Sequence, residues 1–356
     1  MERYIGLDVH AASTTLVVIS QSGKRIHRAV VETNGRALVE AIRMIPGNKH
    51  LCFEEGTQSA WLYEILSPHV TDVVVAGVTW SRGQKSDRLD AEKLAEKLRT
   101  GTLEKQIFKA PRQYGMLREL ARTHLAITRD LVRVQARLKS MYRSRGIQTP
   151  GETVYGQAQR EAWQRQLPAR SRTSVARLYE QFDFLSELKK RAEADLIRES
   201  HKHSIAHVLE TGPGLGPFRV ARLLPVVVTP HRFRTRQQFW SYCGLGIVMR
   251  SSSDWVRTAQ GRWVRSQVQH TRGLSRQHNH VLKDIFKGAA TTDITKSVDD
   301  PLHGDYQRLL EAGTKPNLAK LTLARKIAST VLAMWKKEER YNPEKIRPAH
   351  DRDRPA

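Results

Sequence analysis

Eight positions, Leu117, Leu120, His124, Ile127, Leu131, Val134, Leu138 and Met141, follow one another at alternating steps of three and four. Such spacing holds one apolar seam on a helix for more than three heptads, so the middle of the chain has to be a long helix laid against another helix. That other helix is a second copy of the chain, the reading a sustained heptad favours, or a return helix over Thr173–Ser200. The return segment has its own seam in Val175, Leu178, Phe182, Leu185 and Ala192. His124 is the polar member of the first seam and is placed to set its register. Between the two helices, residues 146–172 carry Pro150, Gly151, Gly156 and Pro168 without a sustained period, and read as a loop or flexible tip.

The outside of this helix is basic. The whole chain of 356 residues has a net charge of +24, but residues 1–96 hold 11 Lys/Arg against 12 Asp/Glu, whereas residues 97–172 hold 17 against 5. A solvated helix face mixes signs; a stretch dominated by one sign, such as Arg118–Arg145, repels itself unless a polyanion lies against it. Nucleic acid is the polyanion expected, with Arg129, Arg133 and Arg137 as contacts. Apolar residues make up 39%, enough for cores, which excludes a wholly disordered chain. No run of eighteen apolar residues and no signal pattern at Met1–Gly6 point to a cytoplasmic protein that neither spans a membrane nor is exported. Cys52 and Cys243 are too few for a disulfide framework or a cysteine zinc site.

Before the helix, strand and helix signals alternate. Tyr4–Val9, Thr14–Ser20 and Ile26–Glu32 read as strands, Arg36–Met44 as a helix, His50–Glu54 as a strand, Ala60–Leu66 as a helix and Asp72–Val78 as a strand. Leu89–Arg99 reads as a helix beginning near Asp87. The order β-β-β-α-β-α-β-α describes an α/β domain of the ribonuclease-H-like (RuvC-like) kind, a fold that also underlies actin-like ATPases.

Four acids fall where such a sheet would gather them. Asp8 ends the first strand, Glu54 ends the fourth, and Asp87 and Asp90 share one face of the helix that follows. A carboxylate in the middle of a sheet is costly unless compensated, and four converging acids would hold one or two Mg²⁺ (or Mn²⁺) ions for phosphodiester chemistry. Taken singly, Asp87 and Asp90 also suit a helix N-terminus, and Glu55 could stand in for Glu54. The ATPase reading, through Gly6-Leu7-Asp8 and Ser13-Thr14-Thr15, is poorer, because Val9 and His10 stand where its phosphate hairpin needs glycine.

Further on, Gly212, Gly214 and Gly216 lie in Leu209–Pro217 ahead of an apolar helical stretch, a pattern like a helix-hairpin-helix that meets a phosphate through its backbone. A plain interhelical turn is the alternative. Arg250-Ser251-Ser252-Ser253-Asp254-Trp255 follows, with Arg257, Arg262, Arg265 and Arg272 interleaved with Trp255 and Trp263. A serine triplet at a helix end is ordinarily a loop or cap. Among arginines, a serine hydroxyl can attack a phosphodiester whose charge they neutralise. His201, His203 and His207, and His270, His278 and His280, lack cysteine companions and read as non-ligating.

These motifs together resemble the transposases of bacterial insertion sequences that join a DEDD nuclease-like domain to a C-terminal serine domain, the bridge-RNA-guided recombinases. Tyr4-Ile5-Gly6-Leu7-Asp8, Cys52-Phe53-Glu54, Lys85-Ser86-Asp87-Arg88-Leu89-Asp90-Ala91, Thr211–Leu224, Gln237–Leu245 and Ala324-Arg325-Lys326 with Trp335 carry the likeness across nearly the whole chain. It implies a DEDD domain over residues 1–107, a basic coiled-coil arm over 108–200 and a mainly α-helical serine domain over 201–341; the charged, Pro-rich residues 342–356 read as a disordered tail. It implies a phosphoserine intermediate, donor and target DNA, a guide RNA, a homo-oligomer (dimer or tetramer) and a place beside the bacterial nucleoid. Counting from Gly244-Leu245 puts Ser252 at the nucleophile position, with Ser251 and Ser253 one step away. The family's glycines around that serine are absent here. A metal nuclease or junction resolvase using water, with the serines only lining a DNA channel, is the competing enzyme; a silent nucleic-acid-binding protein is the third reading.

Overall fold

The computed structural model describes residues 1–77, 87–103, 106–108, 113–250, 255–265, 270–297 and 299–346. The chain divides into two compact units, Met1–Gln113 and Tyr114–Ala356.

In the first unit, strands β1 (Glu2–Val9), β2 (Ser13–Ser20) and β3 (Arg25–Glu32) precede helix α1 (Gly35–Arg43), strand β4 (Asn48–Glu54), helix α2 (Ser59–Leu66), strand β5 (Asp72–Ala76) and helix α3 (Asp87–Thr100). The element order is the one expected from the sequence. The sheet runs β3-β2-β1-β4-β5, with β1 antiparallel to β2 and parallel to β4. This mixed α/β sheet is compatible with a ribonuclease-H-like fold. Alternation of side chains divides its two faces. Ile5, Leu7, Leu16, Val18, Leu51 and Phe53 join Leu38 and Ile42 of α1 and Leu62 and Leu66 of α2 in one core. On the other face Val17 and Ile19 pack on Ala91 and Ala95 of α3, and Cys52 and Ala76 on Leu94. Gly6 permits that second contact, because a Cβ there would lie 2.0 Å from the Ala91 carbonyl oxygen. The outer strand β3 is largely exposed and carries Arg25, Arg28 and Glu32, charges that discourage another strand from adding to the edge.

The second unit opens with α4 (Gly115–Arg143), α5 (Arg160–Arg165) and α6 (Ala169–Ser200). At 29 residues, α4 is about 43 Å long. Its seam residues Leu117, His124, Leu131, Val134 and Leu138 are buried. The expectation that this seam faces a second copy gives way to an intrachain pairing, since α4 packs on α6. Val134, Leu138 and Tyr142 meet Val175 and Tyr179 there.

The expected loop over residues 146–172 is instead a folded tip. Val154 and Leu167 enter the α4–α6 core, Tyr179 donates its hydroxyl to the Val154 carbonyl at 2.9 Å, and Arg160 pairs with Asp183 while lying over the rings of Tyr179 and Phe182. Val154 and Leu167, with Ile147, Tyr155 and Trp163 packed beside them and the Arg160 guanidinium, hold this segment without any period for a pattern to record. It also lets α6 begin at Ala169, ahead of the expected Thr173.

Beyond α6 come α7 (Ser204–Leu209), α8 (Pro217–Val227), α9 (Arg236–Tyr242), strands β6 (Ile247–Arg250), β7 (Trp255–Arg257), β8 (Trp263–Arg265) and β9 (His270–Leu274), and helices α10 (His280–Lys296), α11 (Pro301–Glu311) and α12 (Pro316–Lys337). The region is mainly helical, as expected, with two two-stranded ribbons, β6–β9 and β7–β8. The arm does not stand apart: α8 packs on both α4 and α6, and the Phe218 ring meets His124 edge-on at 4.9 Å. Of the expected tail, Pro343–Lys345 forms a short turn and residues 347–356 lie outside the described residues. Among the described residues, no helix is long and apolar enough to cross a membrane.

Candidate active site

Strands β1 and β4 are paired in parallel with Leu7 opposite Phe53, so the next residues, Asp8 and Glu54, stand side by side at the strand ends. Both lie on the α3 face, Asp8 two residues beyond Gly6 and Glu54 two beyond Cys52. Glu55, one residue further, breaks that alternation, and its N–H bonds to the Ala76 carbonyl at 2.8 Å. The register therefore favours Glu54 over Glu55 as the partner of Asp8.

Helix α3 arrives from the same end. Its Ala91 and Ala95 row lies over β1 and β2, and Leu94 lies over β4 and β5. Asp87 is one turn before Ala91, and Asp90 one turn before Leu94. Both acids thus belong to the helix end nearest Asp8 and Glu54. Asp90 is half-buried and pairs with Lys93 at 3.5 Å, and His10 Nε2 lies 3.3 Å from an Asp8 carboxylate oxygen.

This donor set suits a hard cation, being made of carboxylate oxygens alone. Cys52 lies on the same face. Burial beside the Glu54 charge pushes its thiol up to about 12, which keeps it protonated at neutral pH. Strand ends that bring carboxylates together in an α/β sheet are where ligands ordinarily bind.

The serine run, Ser251–Ser253, lies outside the described residues. Strand β6 precedes it, not the helix end expected. Gly244 takes a positive φ of 68°, and a Cβ on it would lie 2.4 Å from the His278 ring. Arg325 on α12 donates from Nε to the Leu245 carbonyl at 2.6 Å, and Trp240 Nε1 donates to the Arg325 carbonyl at 3.0 Å. Sequence reasoning quoted these residues only as a likeness; nothing in their spacing shows that they clasp each other across 80 residues of chain.

The glycine segment forms a turn between α7 and α8, and internal packing accounts for two of its glycines. Gly214 has φ +64°, and a Cβ on it would lie 2.2 Å from the Ala289 carbonyl, while Gly212 is buried against Leu209 and Leu215. Only the Cβ position of Gly216, the residue capping α8, opens onto space.

The expected basic contacts fall into two groups. Arg129, Arg133 and Arg137 form an exposed stripe on α4 at steps of four, away from the buried seam. Arg257 and Arg262 are exposed at the β7–β8 ribbon, with Arg250 ending β6 and Arg265 ending β8. Arg272 lies in β9.

Two histidines read as non-ligating come together with Glu210. His201, His207 and Glu210 bring one ligand atom each within 4.8 Å of the others. The 2.8 Å pair of His201 with Glu210 and the stacked imidazoles tie the end of α6 to α7. His203 packs on Tyr114 instead.

Two family models match the chain. One, described as Transposase, covers residues 5–144, from β1 to the end of α4, and so spans all four acids. The other, described as Transposase IS116/IS110/IS902 family, covers residues 206–306, from the glycine turn through the ribbons into α11. No curated protein matches the chain.

Proposed function

The chain belongs to the IS116/IS110/IS902 transposases, enzymes that act on DNA, and from that premise we propose that it is an RNA-guided recombinase that cuts and rejoins DNA through Ser252 with divalent-metal assistance. The juxtaposition that carries the reading is Asp8 beside Glu54 on the face that α3 covers, with Asp87 and Asp90 on the near end of that helix.

Asp8, Glu54, Asp87 and Asp90 would hold Mg²⁺ or Mn²⁺, which when bound supplies charge neutralisation at the scissile phosphate. The protein's own part is nucleophile, placement and charge. The Ser252 oxygen forms a bond to phosphorus while the bond from phosphorus to the departing deoxyribose oxygen breaks. The hydroxyl proton passes to a neighbouring base and the departing oxygen gains one. The phosphoserine ester keeps the energy of the broken bond, so a second DNA end can reverse the step and restore a phosphodiester. Arg257 and Arg262 offset the charge on the pentacoordinate phosphate. The Arg325–Leu245 and Trp240–Arg325 bonds hold the chain leading to the serine, limiting motion of the attacking group.

The stripe of Arg129, Arg133 and Arg137 meets phosphates without reading sequence, the division of labour expected where a paired guide RNA selects the donor and target DNA. Work on two DNA segments calls for a homo-oligomer, in the cytoplasm at the nucleoid.

The deciding experiment traps the intermediate. Incubation with the element's end sequence is expected to give a protein–DNA adduct that survives denaturation, and Ser252→Ala to abolish it. Persistent cleavage by Ser252→Ala with no adduct from the parent would establish the water-dependent nuclease instead.

A further inference from the structure

His201 caps the end of α6, and the chain turns back through Lys202 and His203, whose N–H bonds to the Ser200 carbonyl at 3.0 Å, into α7. That reversal lays His201 beside the last turn of α7. His207 and Glu210 are three residues apart, and Glu210 keeps helical φ and ψ as the C-cap of α7, so their side chains leave the same side of that turn. One ring nitrogen from each histidine and one carboxylate oxygen therefore lie within 4.8 Å of one another. His201 Nε2 stands 2.8 Å from a Glu210 oxygen, and the two imidazoles are stacked with centroids 4.9 Å apart. Ligand atoms on a tetrahedral ion with bonds of about 2.0–2.1 Å are about 3.3 Å apart, so an opening of about half an ångström admits one.

We infer that His201, His207 and Glu210 form a site for a divalent transition-metal ion of the zinc class, distinct in its chemistry from the all-carboxylate set of the first unit. Two neutral imidazoles and one carboxylate suit Zn²⁺, whereas Mg²⁺ keeps to oxygen. The lack of cysteine companions excludes a closed cysteine site and leaves this one untouched. Both histidines are exposed and Glu210 is half-buried, so an ion can enter from solvent and keep water in its fourth place. The +24 charge of the chain opposes a cation, but the neighbouring Arg198 and Lys202 are paired with Asp195 and Glu199, and the Glu210 charge stays with the site. The ligands come from two elements. His201 ends α6, while α7 buries Ala206 and Leu209 and packs on α8 and α12. A bound ion thus ties the base of the α4–α6 pair to the helices around the Arg325 clasp, where one hydrogen bond and one ring stack otherwise do so.

Titration of the full-length protein with Co²⁺ in excess Mg²⁺ tests the site, slightly above neutral pH so that the imidazoles are unprotonated. Mg²⁺ competes for the carboxylates of the first unit, and tetrahedral Co²⁺ with nitrogen ligands absorbs visible light far more strongly than octahedral Co²⁺ on oxygen. The parent is expected to show this strong absorption, saturating at one equivalent, and added Zn²⁺ to bleach it. His207→Phe keeps a ring to stack on His201 and removes the ligand nitrogens. Glu210→Gln keeps an acceptor for His201 and removes the charge. Each should weaken Co²⁺ binding at least about tenfold. His203→Ala, which removes the histidine of this run that packs on Tyr114 instead, should stay within about twofold. Zn²⁺ should raise the Tm of the parent and leave that of His207→Phe where it was. No strong absorption in the parent overturns the site and leaves the cluster as a plain tie between helices. Equal weakening by His203→Ala overturns it in favour of loose capture by a run of histidines. Undiminished absorption in the His207→Phe/Glu210→Gln protein puts the ion elsewhere and overturns it as well.

Discussion

A Cβ on Gly6 would lie 2.0 Å from the carbonyl oxygen of Ala91 and 2.7 Å from the backbone nitrogen of Ala95. Helix α3 therefore rests directly on the backbone of β1, and this contact fixes how far the Asp87–Asp90 end of the helix stands from Asp8. Because the obstructing atoms are backbone, they cannot rotate away. Gly6→Ala is expected to cost about 1–3 kcal/mol and to lower activity more than stability alone explains, by moving the helix acids off the strand acids. Thermal melts alongside cleavage assays check this; unchanged cleavage in the folded variant would show that α3 does not set the geometry of the acids.

The register of β4 separates two adjacent glutamates. Glu54→Gln is expected to lower DNA cleavage about 10³-fold, equal to about 4 kcal/mol of transition-state stabilisation. Glu55→Gln should stay within about twofold of the parent. Asp8→Asn should behave as Glu54→Gln does, with thermal melts near the parent's for all three. A fully active Asp8→Asn would remove the metal-dependent reading altogether.

His124 titrates against its surroundings. Burial, with Lys189 and Arg222 nearby, lowers its pKa from 6.5 to about 4, and its Nε2 has no hydrogen-bond partner. Glu193 approaches that nitrogen only to 3.9 Å, too far for a hydrogen bond to offset the burial. The neutral ring is the one that fits, so its contribution to stability is present above about pH 6.5 and lost as the pH falls towards 4. His124→Leu should flatten this acid limb in urea unfolding and gain about 1 kcal/mol at neutral pH by removing an unsatisfied polar atom.

Asp293 acts in the opposite sense. The side chain is fully buried in α10 with neither oxygen hydrogen-bonded, and burial beside Asp300 pushes its carboxyl up to about 6. A raised carboxyl pKa means that its stability contribution is present below the unfolded value near 3.8 and lost as the pH rises through about 6. Asp293→Asn should raise the Tm above pH 7 and have little effect near pH 4, read by melting at both.

The clasp between α12 and the chain before the serine predicts a catalytic defect without a binding defect. Arg325→Met keeps the apolar stem and loses the 2.6 Å bond to the Leu245 carbonyl. Adduct formation should fall about 10–100-fold while duplex binding stays within about twofold. Equal losses in both would mean that Arg325 supports the fold alone.

The local periods of the chain determined a good deal without any structure. Short apolar runs bounded by turn residues marked β1 to β5, and the three-four spacing of Leu117–Met141 marked α4, because burial leaves an apolar pattern that the linear sequence records. The strand order was enough to expect Asp8 and Glu54 as neighbours, and the excess of arginine was enough to expect a polyanion. Three things were decided only in the tertiary structure. The seam of α4 was closed by α6 of the same chain, a choice that a heptad leaves open because it records an apolar stripe and not whose helix covers it. The tip over residues 146–172 was ordered by Val154, Leu167 and the Arg160–Asp183 pair, single contacts with no period. Gly214 and Gly6 owed their identity to Ala289 and Ala91, dozens of residues away, since the space that forbids a Cβ exists only once another backbone has moved into it.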